Sequence, residues 1–196
     1  MSELKIADFG PVSNAVVYGL EESIRRAKFP MSVDTDSLNE TLTEGIAALA
    51  KSAPGEGHDN WLNGVVVQFD LTFTVKAWTE AQRYHFLDFV SSQSTMHRIA
   101  RFELADRYDV YTDPRSVEIV KELVEKYNRT KDPEDYLRCL MSNPCGMRLT
   151  AGMTSNYRQL KTIYRQRKNH RLPEWRSFCA WIESLPHAEL ITGGEA

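Results

Sequence analysis

The chain has little cysteine: three residues in 196 (Cys139, Cys145 and Cys179), an odd and sparse set. That argues against a disulfide framework and for a reducing, cytoplasmic compartment. No Cys-x-x-Cys and no paired histidines accompany them, so a structural zinc is not expected, nor any other metal. No apolar run approaches the ~20 residues that span a bilayer, so no membrane partner is expected. The opening MSELKIADFG carries acids and no apolar core, unlike a secretory signal. Also missing are a Gly-x-Ser-x-Gly elbow, a phosphate-binding loop ending in Gly-Lys-Ser/Thr and a Gly-x-Gly-x-x-Gly fingerprint.

The most informative absence is acid. Residues 136–173 hold no Asp or Glu but eight bases: Arg138, Arg148, Arg158, Lys161, Arg165, Arg167, Lys168 and Arg171. Residues 1–60 show the reverse, ten acids to five bases. A tract of one sign either attracts anions such as phosphates or pairs with the acidic half of its own chain. The overall charge is −3, and no nucleic-acid module is visible, which argues against a nucleic-acid partner.

What remains is ordinary for a globular protein: 42% hydrophobic and 26% charged residues. The length suits a single domain, 1–196, with N-terminal helices over 1–53, a core over 54–185 and a tail over 186–196, of which ITGGEA is expected to fray. Periodicity predicts helices at 12–27 and 37–52, the second capped by Asp36 or Ser37. A Gly-rich loop follows at 54–60. Val67, Phe69, Leu71, Phe73 and Val75 alternate within 63–75 and predict a half-buried strand. Further helices are expected at 77–91, with Phe86 and Phe89 available for burial, and at 114–128, 133–142, 154–168 and 173–184. Asp113-Pro114, Asp132-Pro133 and Pro173 mark three of the starts. LKIADF near the start and DVYT at 109–112 are candidates to pair with the one clear strand. Trp175, Phe178 and Trp181, at helical spacing, read as core.

Three clusters are dense in donors that are hard to bury without an anion or acceptor. The first is Gly57-His58-Asp59-Asn60. The second runs from Gln93 through Met96-His97-Arg98-Ile99-Ala100-Arg101-Phe102-Glu103-Leu104-Ala105-Asp106-Arg107. The third is Thr154-Ser155-Asn156-Tyr157-Arg158, followed by Arg165, Arg167 and His170. Their order resembles the flavin-dependent thymidylate synthases, whose signature is R-H-R-x-x-S-x-x-x-x-S-x-R. His97-Arg98 and Arg107 are kept. Met96 stands for the first Arg, Arg101 for the first Ser and Ala105 for the second. The resemblance covers residues 54–185.

The resemblance implies an α+β fold, an antiparallel sheet flanked by several helices. It implies FAD as cofactor, with NADPH and methylenetetrahydrofolate as co-substrates. The reaction would place a methyl or hydroxymethyl group on C5 of a pyrimidine deoxynucleotide such as dUMP, without a protein nucleophile, in a homotetramer. A catalytically altered nucleotide- or flavin-binding protein on the same scaffold is the alternative. Matched residue by residue, His58, Asn60, His97, Arg98, Asn156 and Arg158 would contact flavin. Gln93, Arg101, Glu103, Leu104, Ala105, Asp106, Arg107, Arg148 and Arg167 would contact the nucleotide. Met96 and Ala105 remove donors on the nucleotide side, and Arg101 adds a charge there.

Overall fold

The computed structural model describes residues 3–53 and 55–193. In chain order its elements are β1 (Glu3–Lys5), β2 (Val12–Tyr18), α1 (Leu20–Arg26), α2 (Glu44–Ala50), β3 (Val66–Thr74), α3 (Val75–Ala81), β4 (Asp88–Ser92) and α4 (Thr95–Arg98). Then follow α5 (Pro114–Thr130), α6 (Pro133–Ser142), β5 (Arg148–Asn156), α7 (Tyr157–Arg167), α8 (Pro173–Ile182) and α9 (Glu189–Thr192). The fold is α+β: the strands form an antiparallel sheet in the order β1-β2-β3-β5-β4. In its β1-β2-β3 part Leu4 stands opposite Val17, and Val17 opposite Val67.

The clearest expected strand is β3. Val67, Phe69, Leu71 and Phe73 alternate onto one side and are all buried. The Pro-opened helices stand where the sequence put them, because their caps are local. Asp113 accepts from Arg115 N at 2.9 Å, and Asp132 from Glu134 N at 2.7 Å. Trp175, Phe178 and Trp181 are core.

Four expectations are corrected. Residues 12–27 are not one helix, so 1–53 is not purely helical: β2 occupies 12–18, and α1 begins only after Gly19. Gly19 has φ +73°, and a Cβ there would meet the Gly64 carbonyl oxygen at 2.6 Å. The β-branched Val12, Val16 and Val17 pair in the sheet instead. The helix at 37–52 shrinks to α2, capped by Thr43 rather than Asp36 or Ser37. The helix at 77–91 becomes α3 and then the strand β4. Thr74 caps α3, and Phe86, at φ +59°, cannot continue a helix. Phe86 and Phe89 are exposed. Finally, DVYT at 109–112 forms no strand. The unanticipated partner of β3 is β5, whose RLTAGMTSN pattern alternates only partly in burial. β1, Glu3–Lys5, overlaps LKIADF at Leu4 and Lys5 and pairs with β2 rather than with β3. Of the tail, 194–196 lie outside the described residues.

The chain clusters into two compact units. One comprises Met1–Leu71, Tyr84–Val90 and Gly152–Ala196; the other comprises Thr72–Arg83 and Ser91–Ala151. The first unit has an aromatic core in which Phe69 lies 4.8 Å from Trp181 and 5.9 Å from Phe178, ring centre to centre. The second packs α5 and α6 over Ile99, Leu104, Tyr108, Val120, Val124, Cys139 and Met147.

Candidate functional site

The first unit brings the 57–60 loop against the N-terminal half of α7. Asn156 caps α7, its Oδ1 accepting from Gln159 N at 2.9 Å. Asp59 is buried, with 8% of its side chain exposed, and answers two cations. Arg158 Nε donates to Oδ1 at 3.1 Å, and Lys161 Nζ to Oδ2 at 2.8 Å. Lys161, 10% exposed, also donates to the carbonyls of Ala50 (2.7 Å) and Ser52 (3.0 Å). Part of the basic tract therefore does pair with the acidic half of the chain.

Beside this cluster lies a cavity of about 200 Å³, lined among others by Asn156, Arg158, Gln159, Thr162 and Arg165. Arg158, Lys161 and Arg165 supply three positive charges to the single negative charge of Asp59. Such a cavity suits a phosphate-sized anion. His58 and Asn60 do not join it. They line a larger open groove of about 1220 Å³, floored by Ala27, Pro30, Leu38, Ile46 and Leu49. The loop thus sends Asp59 one way and its two neighbours the other. Gly57, at φ +78°, and the turn from Gly57 O to Asn60 N (3.2 Å) make that reversal possible.

Arg167, expected at the nucleotide, also belongs to this unit. Its Nε donates to the Tyr84 hydroxyl at 2.7 Å, it meets His170 Nε2 at 2.7 Å, and it lies 4.7 Å from the centre of the Trp175 ring.

The second unit gathers Gln93, Arg107 and Arg148. Gln93 Oε1 accepts from Arg107 at 3.1 Å and from Thr150 N at 3.0 Å. Arg148 N donates to the Arg107 carbonyl at 2.8 Å, and its guanidinium to the Tyr108 carbonyl at 2.8 Å. The Arg107 guanidinium lies 4.6 Å from the centre of the Phe102 ring. Arg148 Nε is buried with no hydrogen-bond partner among the described residues. The hydroxyls of Thr72 and Thr150 lie 2.8 Å apart close by along the strands. Thr72 and Thr150 were missed from sequence: a threonine within a strand reads as a β-former.

The remaining positions divide. His97 and Arg98 end α4 and are exposed, as are Arg101, Glu103, Ala105 and Asp106. Leu104 buries its side chain in the core, so only its backbone can face a ligand. Met96 exposes its side chain, while its carbonyl accepts from the Tyr136 hydroxyl at 2.9 Å. Burial is the main cause that raises the Tyr136 hydroxyl pKa, and the charges of Arg101 and Arg98 oppose the rise. The Cys139 and Cys179 thiols are buried and also raised by burial, Cys179 to about 12, so neither is a ready thiolate. Asp59 and Lys161, which hold the loop, were seen in sequence only as part of a motif and as one base of a tract. A lysine on the apolar side of α7, one residue after Leu160, was the available signal.

This α+β fold is shared with solved structures of flavin-dependent thymidylate synthases. One solved structure similar to the chain is the flavin-dependent thymidylate synthase ThyX from Helicobacter pylori, complexed with FAD and dUMP. It has a TM-score of 0.69 and 12% identity over 98% of this chain and 97% of that one, and a second structure of the same enzyme agrees. Another is the UMP/dUMP methylase PolB from Streptomyces cacaoi bound with 5-Br dUMP, with a TM-score of 0.62 and 16% identity over 98% and 95% of the two chains. No protein-family model matches the sequence, and no curated protein does at a significant level. Among the described residues, no helix is long and apolar enough to cross a membrane.

Proposed function

We propose that the protein is a flavin-dependent transferase that moves a one-carbon unit, methyl or hydroxymethyl, to C5 of a pyrimidine deoxynucleotide such as dUMP. The observation that carries this reading is the convergence of Gln93, Arg107 and Arg148. They come from two separate stretches of sequence, 93–107 and the strand that begins at Arg148, and the resemblance assigns each of the three to the nucleotide. The two ThyX structures hold FAD and dUMP on the same fold, which supports the same ligands here.

The residues fit both ligands. Arg107 and Arg148 have guanidinium N–H groups to spare for a phosphate, in the paired geometry that favours bidentate contact. Gln93 spends its carbonyl oxygen on Arg107 and Thr150, so its amide N–H groups remain to donate to a pyrimidine carbonyl. Arg158 and Arg165 can take a phosphate of the cofactor, and α4 offers the exposed guanidinium of Arg98 as a further anion contact. The wide groove beside His58 and Asn60 can take a flat ring. Bound FAD would supply the redox equivalents that a one-carbon transfer from methylenetetrahydrofolate consumes, with NADPH as the source. The chain's part is to orient the ring and the base, to hold the two phosphates apart and to shed water from the apolar groove. A protein nucleophile is not required.

A homotetramer belongs to this reading. The edge strand β4 and its approach leave Phe86, Phe89 and Val90 exposed on the single chain, as surfaces covered by a second copy would be.

The test is direct. Purified protein should carry flavin absorbance near saturation after incubation with FAD, and should release tritium from C5 of labelled dUMP or dCMP when methylenetetrahydrofolate and NADPH are supplied. Protein that binds FAD and nucleotide but releases no label would establish the non-catalytic alternative, which the loss of donors at Met96 and Ala105 favours. Protein that binds neither would end the reading.

A further inference from the structure

Lys161 has no place in the proposed chemistry, yet it is the most heavily committed cation in the first unit. It lies on α7, four residues after the helix start, and is buried to 10% side-chain exposure. Its three ammonium donors meet three acceptors: the Ala50 carbonyl at 2.7 Å, the Ser52 carbonyl at 3.0 Å and Asp59 Oδ2 at 2.8 Å. The first two close the C-terminal end of α2, and the third lies seven residues on, between His58 and Asn60. A single ammonium thus spans both ends of the Gly-rich loop. Arg158 holds the other oxygen of the same carboxylate at 3.1 Å.

We propose that Lys161 is a positioning residue: by clamping Asp59 and the ends of the 51–58 loop to α7, it holds His58 and Asn60 toward the groove and leaves Arg158 aimed into the cationic cavity. The loop cannot do this by itself. Gly55 and Gly57 both have positive φ, and a Cβ on Gly55 would meet nothing within 4 Å, so no side-chain packing holds the loop at Gly55. The far side of the loop is fixed separately. Gly64 lies so close to Ser23 that a Cβ on Gly64 would clash with its hydroxyl, and Tyr157 N donates to the Val65 carbonyl at 3.0 Å. Between those anchors and α2, the Asp59 carboxylate is tied to α7 by Lys161, with Arg158 on its other oxygen, and of the two only Lys161 also reaches back to the end of α2. Because one carboxylate receives both Lys161 and Arg158, the clamp sets two groups at once, the pair on the loop and the guanidinium on the helix.

The inference rests on the flavin reading, so its experiment has two readouts. Hydrogen–deuterium exchange of the ligand-free protein reports the clamp itself. Amides of residues 51–60 should exchange at least about tenfold faster in Lys161→Met than in wild type, with α8 unchanged. Calorimetric titration of FAD reports the consequence: the dissociation constant should rise about tenfold to a hundredfold in Lys161→Met and recover in part in Lys161→Arg, which keeps the charge. If Lys161→Met does not fold, Asp59→Asn removes the same tie with the lysine's two carbonyl contacts intact, and the same loss is expected. Unchanged exchange over 51–60 would overturn the clamp. Faster exchange with an unchanged FAD constant would overturn its positioning role. A wild type that takes up no FAD would instead defeat the flavin reading, and the exchange rates would still decide the clamp.

Discussion

The two candidate clusters, one in each unit, hold their cations in opposite ways. In the first, Arg158 and Lys161 meet a buried carboxylate, Asp59, at 3.1 and 2.8 Å. In the second, Arg107 and Arg148 meet, among the described residues, only neutral groups: the Gln93 amide, the Tyr108 carbonyl and the Phe102 ring. A carboxylate cancels part of the charge it holds, whereas a carbonyl orients a guanidinium and leaves its charge whole. The first arrangement makes structure and offers a ligand the surplus. The second makes little structure and leaves its full charge for an anion, which suits a substrate that comes and goes.

The largest expected effect strikes the carboxylate. Asp59→Ala strands a buried ammonium and a half-buried guanidinium, and should cost about 3 kcal/mol of stability, because an unpaired buried charge loses its compensation. Urea unfolding measures it; a midpoint equal to that of wild type would show that Asp59 is no keystone and would erase the contrast. The second effect tests the other half. Arg107→Ala should leave the urea midpoint nearly unchanged but weaken dUMP binding by about 1.5–3 kcal/mol, the range for a charge-assisted contact. If folding suffered and binding did not, the roles of the two units would be reversed. The smallest effect sharpens the picture at the departures from the family signature. Met96→Arg with Ala105→Ser should tighten dUMP binding by about 1 kcal/mol, since both positions are exposed and can offer donors to a ligand. Arg101→Ser alone should weaken it. A double mutant that binds no tighter than wild type, with Arg101→Ser weaker, would mean that Arg101 already fills the role of the missing arginine.

Much of the site was legible because its signals are local. His97-Arg98, Arg107, Asn156 and Arg158 stand in short motifs, and the structure groups Gln93 with Arg107 and Arg148 and seats Asn156 and Arg158 at one cavity. Arg167, expected at the nucleotide, meets Tyr84 and His170 in the first unit, where Trp175 and Tyr84 offer it a face that no motif announces. His58 and Asn60 line a groove apart from Asn156 and Arg158, a division made by one loop reversal.

The sequence by itself determined the elements whose causes lie within a few residues: the Pro-opened helices α5, α6 and α8 with their Asp and Pro starts, the alternating β3, and the aromatic stripe of α8. It also determined the one-sided charge of 136–173. Tertiary structure decided the rest. Val12–Tyr18 and Arg148–Asn156 are strands because β3 needs partners for its backbone N–H and C=O groups, a demand no local window contains. Gly19 breaks a plausible helix because its backbone must pass close to the Gly64 carbonyl. Asp59 and Lys161, about a hundred residues apart in sequence, became one ion pair because burial leaves each no other way to offset its charge.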